Sequence, residues 1–203
     1  MQFSQNELSS AIRKYGQHYA TFLRQYPTIS NRETPIVNTY EAVKRGGRAL
    51  ATIDKLCGAG ASETWLKCML VDLFVFLGAF DVANTSQFKG IAMRIRHEYY
   101  HLTPSELTCF FYKFSMGDYG KLYAGRSVNP QDILIGLKQF MADLYEQRAN
   151  IDAEELAEKQ RKEMAVAKKN AISYEEYCRR KGKDTSESPL MQTLSDIINK
   201  SKQ

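Results

Sequence analysis

Apolar residues recur every three or four positions along most of the first 148 residues, whereas no segment alternates apolar and polar residues as a β-strand does. Capping residues and prolines mark where successive helices begin, and glycines mark where several of them end. The pattern therefore predicts an all-α fold with a compact domain of about six helices. The predicted helices cover residues 4–26, 35–56, 62–77, 84–100, 104–116 and 130–148, and Gly46-Gly47 is a point where the second one bends or splits.

The four residues TPSE at positions 103–106 give the strongest local signal in the chain. A threonine followed three residues later by a glutamate forms a capping box, and proline is favoured in the first turn of a helix. The sequence therefore predicts that a helix begins here. Its inward face is predicted to consist of Leu107, Phe110, Phe111 and Phe114.

The pattern changes after Arg148. Residues 149–183 have a helix-forming composition but only a thin apolar stripe, which predicts an exposed, charged helical extension. Residues 184–203 comprise a polar linker and a short amphipathic helix, and an isolated helix of this length needs a surface to pack on. We therefore predict a globular domain at 1–148, the extension, and a C-terminal helix that binds a protein partner. The predicted partner contacts are Leu190, Met191, Leu194, Ile197 and Ile198.

Positive charge is concentrated in the extension. The chain has 28 lysines and arginines against 23 acidic residues, which gives a net charge of +5. Residues 161–183 contain eight of these cations and three glutamates, so they also sum to +5 and the rest of the chain is neutral. Such a segment favours an anionic partner such as DNA, although charged runs on exposed helices often serve only solvation. The cations are Arg161, Lys162, Lys168, Lys169, Arg179, Arg180, Lys181 and Lys183.

The cysteines and the apolar segments bear on the location of the protein. Four widely spaced cysteines form no CxxC pair, which is typical of reduced thiols in a cytosolic protein. The most apolar run, residues 65–80, is interrupted by Lys67, Asp72 and Gly78, so it predicts a buried helix rather than a membrane span. We also recognise no signal peptide. We therefore expect a cytoplasmic protein that does not enter a membrane.

Residues 97–101, HEYYH, match the HExxH motif of zinc hydrolases, in which two histidines one helical turn apart hold zinc and the glutamate activates water. With about 100° per residue in an α-helix, the apolar residues of this helix point one way, whereas His97 and His101 lie on its polar side. Pro104 and Leu107 stand where the extended motif has its glycine and its third histidine, so the ligand set is incomplete. We therefore predict no metal and no cofactor, and a zinc-dependent hydrolase stays as a minor alternative.

The segment GDYGKLYAGRSVNP, residues 117–130, leaves three interpretations open. In the first it is structural, because Gly117 takes a left-handed conformation after the preceding helix and the tyrosine rings cover the helix junction. In the second it binds nucleic acid, because rings stack on bases while cations neutralise phosphates. In the third it docks a protein. The residues predicted to contact nucleic acid in this segment and just before it are Tyr112, Lys113, Tyr119, Lys121, Tyr123 and Arg126.

The stretch between Thr64 and Arg148 carries several motifs in order. An apolar helix with tryptophan, TWLKCMLVDLFVFL, precedes a helix that ends in a tyrosine pair, EYYHLTPSEL. A phenylalanine-rich helix, the G-x-YG-x-x-Y motif in GDYGKLYAG and a helix that ends in YEQR follow. This stretch resembles an uncharacterised family of small all-helical proteins from Bacteroidetes genomes, prophages and mobile elements. Other members have varied residues at the positions of His97 and His101, so the resemblance weakens the zinc interpretation.

These observations predict a non-enzymatic accessory factor that binds nucleic acid, protein or both. The resemblance implies no established activity, but it implies a setting in phage or mobile-element DNA metabolism within a bacterial cytoplasm, for example as an adaptor or a helicase-loader-like factor. The main alternative is a structural or homo-oligomeric interaction protein, including a virion-associated one. The expected partners are a protein, DNA and further copies of the chain.

Overall fold

The computed structural model describes residues 2–28, 35–78, 85–120 and 130–181, with side chains except at positions 2–8, 85 and 130. This part of the chain is all-α, as the sequence predicts, and the described residues contain no strand. The helices are α1 Gln2–Gln25, α2 Thr39–Arg45, α3 Leu50–Cys57, α4 Ala61–Phe76, α5 Thr85–Glu98, α6 Pro104–Met116, α7 Pro130–Asn170 and α8 Tyr174–Lys181.

The second predicted helix is two helices in the structure. The predicted start at Pro35 is wrong, because α2 begins only at Thr39. The Asn38 side chain caps it by accepting a hydrogen bond from the Glu41 amide at 2.6 Å, as is typical of an N-cap residue. Residues 46–49 then separate α2 from α3, at the glycine pair where the sequence predicts a bend or a split.

Asp54 in α3 organises the start of α4 and its packing against α5. One carboxylate oxygen accepts a hydrogen bond from the Ser62 amide at 2.8 Å, and the other accepts one from Arg96 Nε at 2.6 Å. Ser62, the predicted cap, lies inside α4, and Gly60 occupies the N-cap position without a side chain to offer. Because the first amides of a helix need acceptors, the Asp54 carboxylate serves in place of the missing cap.

The core is centred on α4, which is apolar nearly all round. A helix of that kind must be covered on every side, and α4 contacts α1, α3, α5 and α6. The indole of Trp65 donates a hydrogen bond to the carbonyl of Tyr26 at 3.0 Å, which fixes the end of α1 against the core. The side chains of α4 that are fully buried include Trp65, Leu66, Met69, Leu70 and Leu73.

The capping box that starts α6 is confirmed. Thr103 Oγ1 accepts a hydrogen bond from the Glu106 amide at 3.3 Å, and Glu106 Oε2 accepts one from the Thr103 amide at 2.9 Å. The predicted inward face is also confirmed, because all four of its side chains are buried. These are Leu107, Phe110, Phe111 and Phe114.

The chain divides into two compact units, Met1–Asp152 and Ala153–Gln203. Helix α7 supplies residues to both, and α8 belongs to the second unit. None of the described helices combines the length and the apolar character that a membrane span requires. The predicted linker at 184–189 and the predicted partner-binding helix lie outside the described residues, so the roles of Leu190, Met191, Leu194, Ile197 and Ile198 stay predictions.

Candidate nucleic-acid interface

The cations predicted to bind phosphate lie on two helices of the second unit. Four of them, Arg161, Lys162, Lys168 and Lys169, are on α7, and three, at positions 179–181, are on α8. All seven side chains are exposed. The eighth predicted cation, Lys183, lies outside the described residues.

The four cations of α7 share one side of the helix. Arg161 and Lys168 are seven residues apart, as are Lys162 and Lys169. Seven residues make about two helical turns, so the four side chains fall within a sector of about 120°. A nucleic-acid backbone could therefore meet several of them at once, which is the requirement for a salt-dependent electrostatic interface.

Helix α8 presents its cations at the end where they also stabilise the helix. The Ser173 hydroxyl accepts a hydrogen bond from the Glu176 amide at 3.2 Å and so caps the start of α8. Residues 179–181 occupy the last turn, where cations interact favourably with the negative end of the helix dipole. The predicted extension contains no break, whereas the structure has one at residues 171–173.

Two of these cations form ion pairs within their own helices. Lys162 Nζ lies 2.6 Å from a Glu158 oxygen, and Arg180 Nη2 lies 2.8 Å from a Glu176 oxygen. Both pairs are solvent-exposed, and exposed pairs of this spacing contribute less than about 1 kcal/mol. A phosphate can therefore replace the glutamate as a partner at little cost, because the exposed pair that is lost contributes so little.

Acidic residues precede the cations on the same side of α7. Glu154 lies one heptad before Arg161, and Glu155 lies one heptad before Lys162. Together with Glu158 they fall within the same sector of about 140° as the four cations. The side of α7 therefore has an acidic half followed by a basic half. The net charge of residues 161–183 does not reveal the acidic half, although its seven-residue spacing to the cations is visible in the sequence.

Tyr119 is buried rather than available to a nucleic acid. Its side chain is 7% exposed and its ring packs against Phe110 and Phe140. Its hydroxyl donates a hydrogen bond to Asp143 Oδ2 at 2.6 Å. Burial, and then this hydrogen bond, raise the pKa of Tyr119 well above its ordinary value. A ring held in the core cannot stack on a base, so the structure contradicts the predicted nucleic-acid contact.

Tyr112 and Lys113 are half-buried at the end of α6. The Lys113 ammonium lies 4.0 Å from an Asp118 oxygen and 5.7 Å from the centre of the Tyr119 ring, so it already has partners within the protein. Neither residue forms part of an exposed cationic face in the described chain. The remaining predicted contacts of this segment, Lys121, Tyr123 and Arg126, lie outside the described residues and stay predictions.

The first part of the G-x-YG-x-x-Y motif has a structural role. Gly117 adopts the predicted left-handed conformation, with φ 94° and ψ 8°. The amides of Gly117 and Asp118 donate to the carbonyls of Phe114 and Lys113, each at 3.1 Å, which is the Schellman arrangement at the end of a helix. This turn delivers the Tyr119 ring to the face of α7. The structural interpretation therefore holds for residues 117–120.

The HExxH motif does not lie on one helix. Helix α5 ends at Glu98, and residues 99–101 form the turn that follows. His97 is exposed as predicted, but His101 is half-buried and its Nε2 atom is buried without a hydrogen-bond partner. The predicted polar position is therefore wrong for His101. Within the described ranges, no group of three or more histidine, cysteine and acidic residues is placed to hold a metal ion.

Comparison with known proteins places part of the chain in a family. No curated protein and no solved structure matches the chain significantly. Residues 83–187 match the Family of unknown function (DUF6633), and this region is just over half of the 203 residues. It includes α5 to α8, and therefore the turn that follows α6 and the exposed cations of α7 and α8. The chain therefore belongs to the Family of unknown function (DUF6633).

Proposed function

We propose that the chain is a non-enzymatic accessory factor that binds nucleic acid through its phosphate groups. The observation that carries this proposal is the repeat of exposed cations along one side of α7, Arg161 with Lys168 and Lys162 with Lys169. A row of cations on a helix suits a polyanion, whose charges repeat at short intervals, and it requires no concave site. Contacts to phosphate carry no sequence information, so we expect little preference for base sequence.

We further propose that this binding serves the DNA metabolism of a phage or another mobile element in a bacterial cytoplasm. This part rests on the resemblance of residues 64–148 to proteins from such elements. The protein would act as an adaptor or a helicase-loader-like factor. The predicted C-terminal helix, with Leu190, Leu194 and Ile198 on its apolar face, would bind the protein partner while the cations hold the nucleic acid.

A salt titration of DNA binding tests the proposal. Fluorescence anisotropy with a labelled duplex would measure the dissociation constant of the full-length protein at salt concentrations from about 50 to about 200 mM. In a variant with four substitutions, the slope of log K against log salt should become shallower by about 3.6, since each neutralised phosphate contributes about −0.9. The substitutions are Arg161→Gln, Lys162→Gln, Lys168→Gln and Lys169→Gln.

The matched control removes the same charge from the first unit. It replaces four exposed cations there with glutamine, namely Arg13, Lys55, Lys89 and Lys138. The control should keep the wild-type slope. An equal change of slope in both variants would mean that binding depends on net charge rather than on the cations of α7. This result would overturn the proposal. Absence of binding at the lowest salt concentration would overturn it as well.

Self-association is the second candidate function, and the acidic half of the α7 face favours it. In an antiparallel pair of copies, Glu154 and Glu155 of one chain would face Lys168 and Lys169 of the other. Complementary charge of this kind sets the register of a protein interface more than it sets affinity. Both halves lie on one side of the helix, so each copy would present the same surface, as a two-fold dimer requires.

One set of substitutions separates the two candidates. Changing Glu154, Glu155 and Glu158 to lysine removes the acidic half and adds cations to the same face. Self-association through this face should then be lost, which light scattering measures, whereas DNA binding should become tighter. Glu163→Lys is the control, because this residue lies about 160° from the centre of the face. A chain that remains monomeric at all salt concentrations excludes the dimer.

A further inference from the structure

A pocket of the first unit lies between α1 and α3. It has a volume of about 610 Å³, which is in the range of small-molecule sites. Its apolar wall is formed by Phe22, Tyr26, Ile53, Leu56 and Pro104. Leu56 is 51% exposed, so this wall leaves a large apolar side chain open to solvent. None of the described lining residues belongs to α7 or α8.

The wall formed by α1 is fixed to the core. The carbonyl of Tyr26 accepts the hydrogen bond from the Trp65 indole, and the Tyr26 ring packs against Phe22 at 5.3 Å between ring centres. Phe22 in turn contacts the edge of the Trp65 ring at 5.7 Å. The apolar surface of this wall is therefore held in place before any ligand arrives.

The wall formed by the residues before α3 is also fixed. The amides of Leu50 and Ala51 donate hydrogen bonds to the carbonyls of Leu102 and Tyr100, at 3.0 and 3.1 Å. These bonds attach the segment that carries Arg48 to the connection between α5 and α6. A preformed pocket loses little conformational entropy on binding, so more of the interaction energy is available for affinity.

The polar groups of the pocket are cationic or neutral. Arg48 lines it and forms no ion pair within the described part of the chain, and His18 and Gln25 lie on the opposite wall. The described lining residues include no aspartate and no glutamate. A guanidinium offers two parallel donors that match a carboxylate or a sulfonate.

We propose that this pocket binds a small amphipathic anion, with an apolar or aromatic body against Phe22, Tyr26 and Leu56 and one acidic group against Arg48. Among the described lining residues Arg48 is the one permanent cation, so the ligand carries a single acidic group rather than a polyphosphate. The apolar body supplies most of the affinity through buried area, and Arg48 supplies orientation and selectivity for the anion. This ligand site is independent of the proposed nucleic-acid contact.

Cys57 provides a readout of the location. It lines the pocket and is half-buried, whereas Cys68, Cys109 and Cys178 are buried. Burial, and then the nearby Asp54 carboxylate, raise the pKa of the Cys57 thiol above its ordinary value, so it reacts slowly but remains the most accessible thiol. A ligand in the pocket should slow its alkylation further.

Binding of 8-anilinonaphthalene-1-sulfonate to the full-length protein tests the proposal, because this probe joins an aromatic body to one sulfonate. We expect a saturable fluorescence increase and slower alkylation of Cys57 by iodoacetamide. Arg48→Gln should weaken binding of the probe about tenfold, as expected for one charged hydrogen-bonded contact. Binding of the neutral analogue N-phenyl-1-naphthylamine should change less than about twofold, because it relies only on apolar contact.

Arg13→Gln is the control, since it removes the same charge from α1 outside the pocket. It should leave the affinity for both probes and the rate of Cys57 alkylation unchanged. Fluorescence that does not saturate, or that saturates without protecting Cys57, would show binding elsewhere and would overturn the proposal. Equal weakening by Arg48→Gln and Arg13→Gln would overturn the role of Arg48.

Discussion

The Arg148 guanidinium in α7 donates two hydrogen bonds to one oxygen of the Glu106 carboxylate in α6, from Nε at 3.1 Å and from Nη2 at 2.6 Å. The other oxygen of Glu106 accepts the Thr103 amide in the capping box. The Glu106 side chain is only 3% exposed, so its charge is compensated by these contacts rather than by water. One buried carboxylate therefore both starts α6 and holds α7 against it.

Arg148→Gln should destabilise the first unit strongly. The substitution leaves the buried Glu106 carboxylate without its cation, and breaking a buried pair in this way costs about 3 kcal/mol or more. Urea unfolding followed by circular dichroism measures the loss. Arg45→Gln is the matched control, because Arg45 forms a pair of similar length with Glu41 at 2.7 Å but in solvent. Arg45→Gln should lower the free energy of unfolding by less than about 1 kcal/mol. An equal decrease in the Arg45 and Arg148 variants would contradict the buried role of Glu106.

Gly136 is a second point of close contact between α6 and α7. A Cβ atom at this position would lie 2.7 Å from the Tyr119 carbonyl oxygen and 2.8 Å from the Phe114 ring. Gly136→Ala should therefore lower the free energy of unfolding by about 1 to 3 kcal/mol, the usual cost of overpacking a core, despite the better helix propensity of alanine. Urea unfolding of the purified variant gives the value.

Gly90 provides the opposite case for comparison. It lies inside α5, where an added Cβ would meet nothing within 4 Å. Gly90→Ala should therefore raise the free energy of unfolding by about 0.5 to 1 kcal/mol, because helix propensity acts alone. Changes of the same sign in the two variants would be inconsistent with the close approach at Gly136.

The features that the sequence predicts well are local ones. The capping box at 103–106 is recognisable because its two partners are three residues apart and always meet when a helix starts there. The ion pairs of Asp54 with Arg96 and of Glu106 with Arg148 each join residues 42 positions apart. No periodicity reveals such pairs, because the packing of α3, α5, α6 and α7 brings them together.

Tyr119 illustrates why the exposure of a predicted site residue cannot always be read from the sequence. Tyr119 lies in a glycine-rich segment between Lys113 and Lys121. This local sequence does not indicate whether the tyrosine ring is exposed or buried. The deciding contacts, with Phe140 and Asp143, come from α7. The cations of α7 are different, since the part of α7 after Arg148 has only a thin apolar stripe and therefore exposes them.

Substitution of Tyr119 distinguishes a buried ring from one that binds nucleic acid. Tyr119→Phe should lower the free energy of unfolding by about 1 kcal/mol through the lost hydrogen bond, and Tyr119→Ala by about 3 to 5 kcal/mol through the lost core volume. Tyr145→Phe is the control, because Tyr145 is 53% exposed. If Tyr119 were a solvent-exposed stacking platform, both Tyr119 variants would unfold like the wild type in urea.

Cys109 should make stability depend on alkaline pH. Its side chain is fully buried, and burial raises the pKa of its thiol from 9.0 to about 11. As pH rises, the unfolded chain therefore loses this proton first. The contribution of the neutral buried thiol is complete below about pH 9 and is lost as pH rises through about 11.

Comparison with Cys109→Ala isolates this effect from the tyrosines that also ionise in the unfolded chain at high pH. The difference in unfolding free energy between wild type and variant should be constant between pH 7 and 8. It should then shrink by on the order of 2 kcal/mol between pH 9 and 11, because each pKa unit corresponds to about 1.4 kcal/mol. The measurement is urea unfolding under reducing conditions at each pH. If this difference stayed the same at every pH, the Cys109 thiol would ionise equally in the folded and unfolded chains. That outcome would contradict a pKa raised by burial in the core.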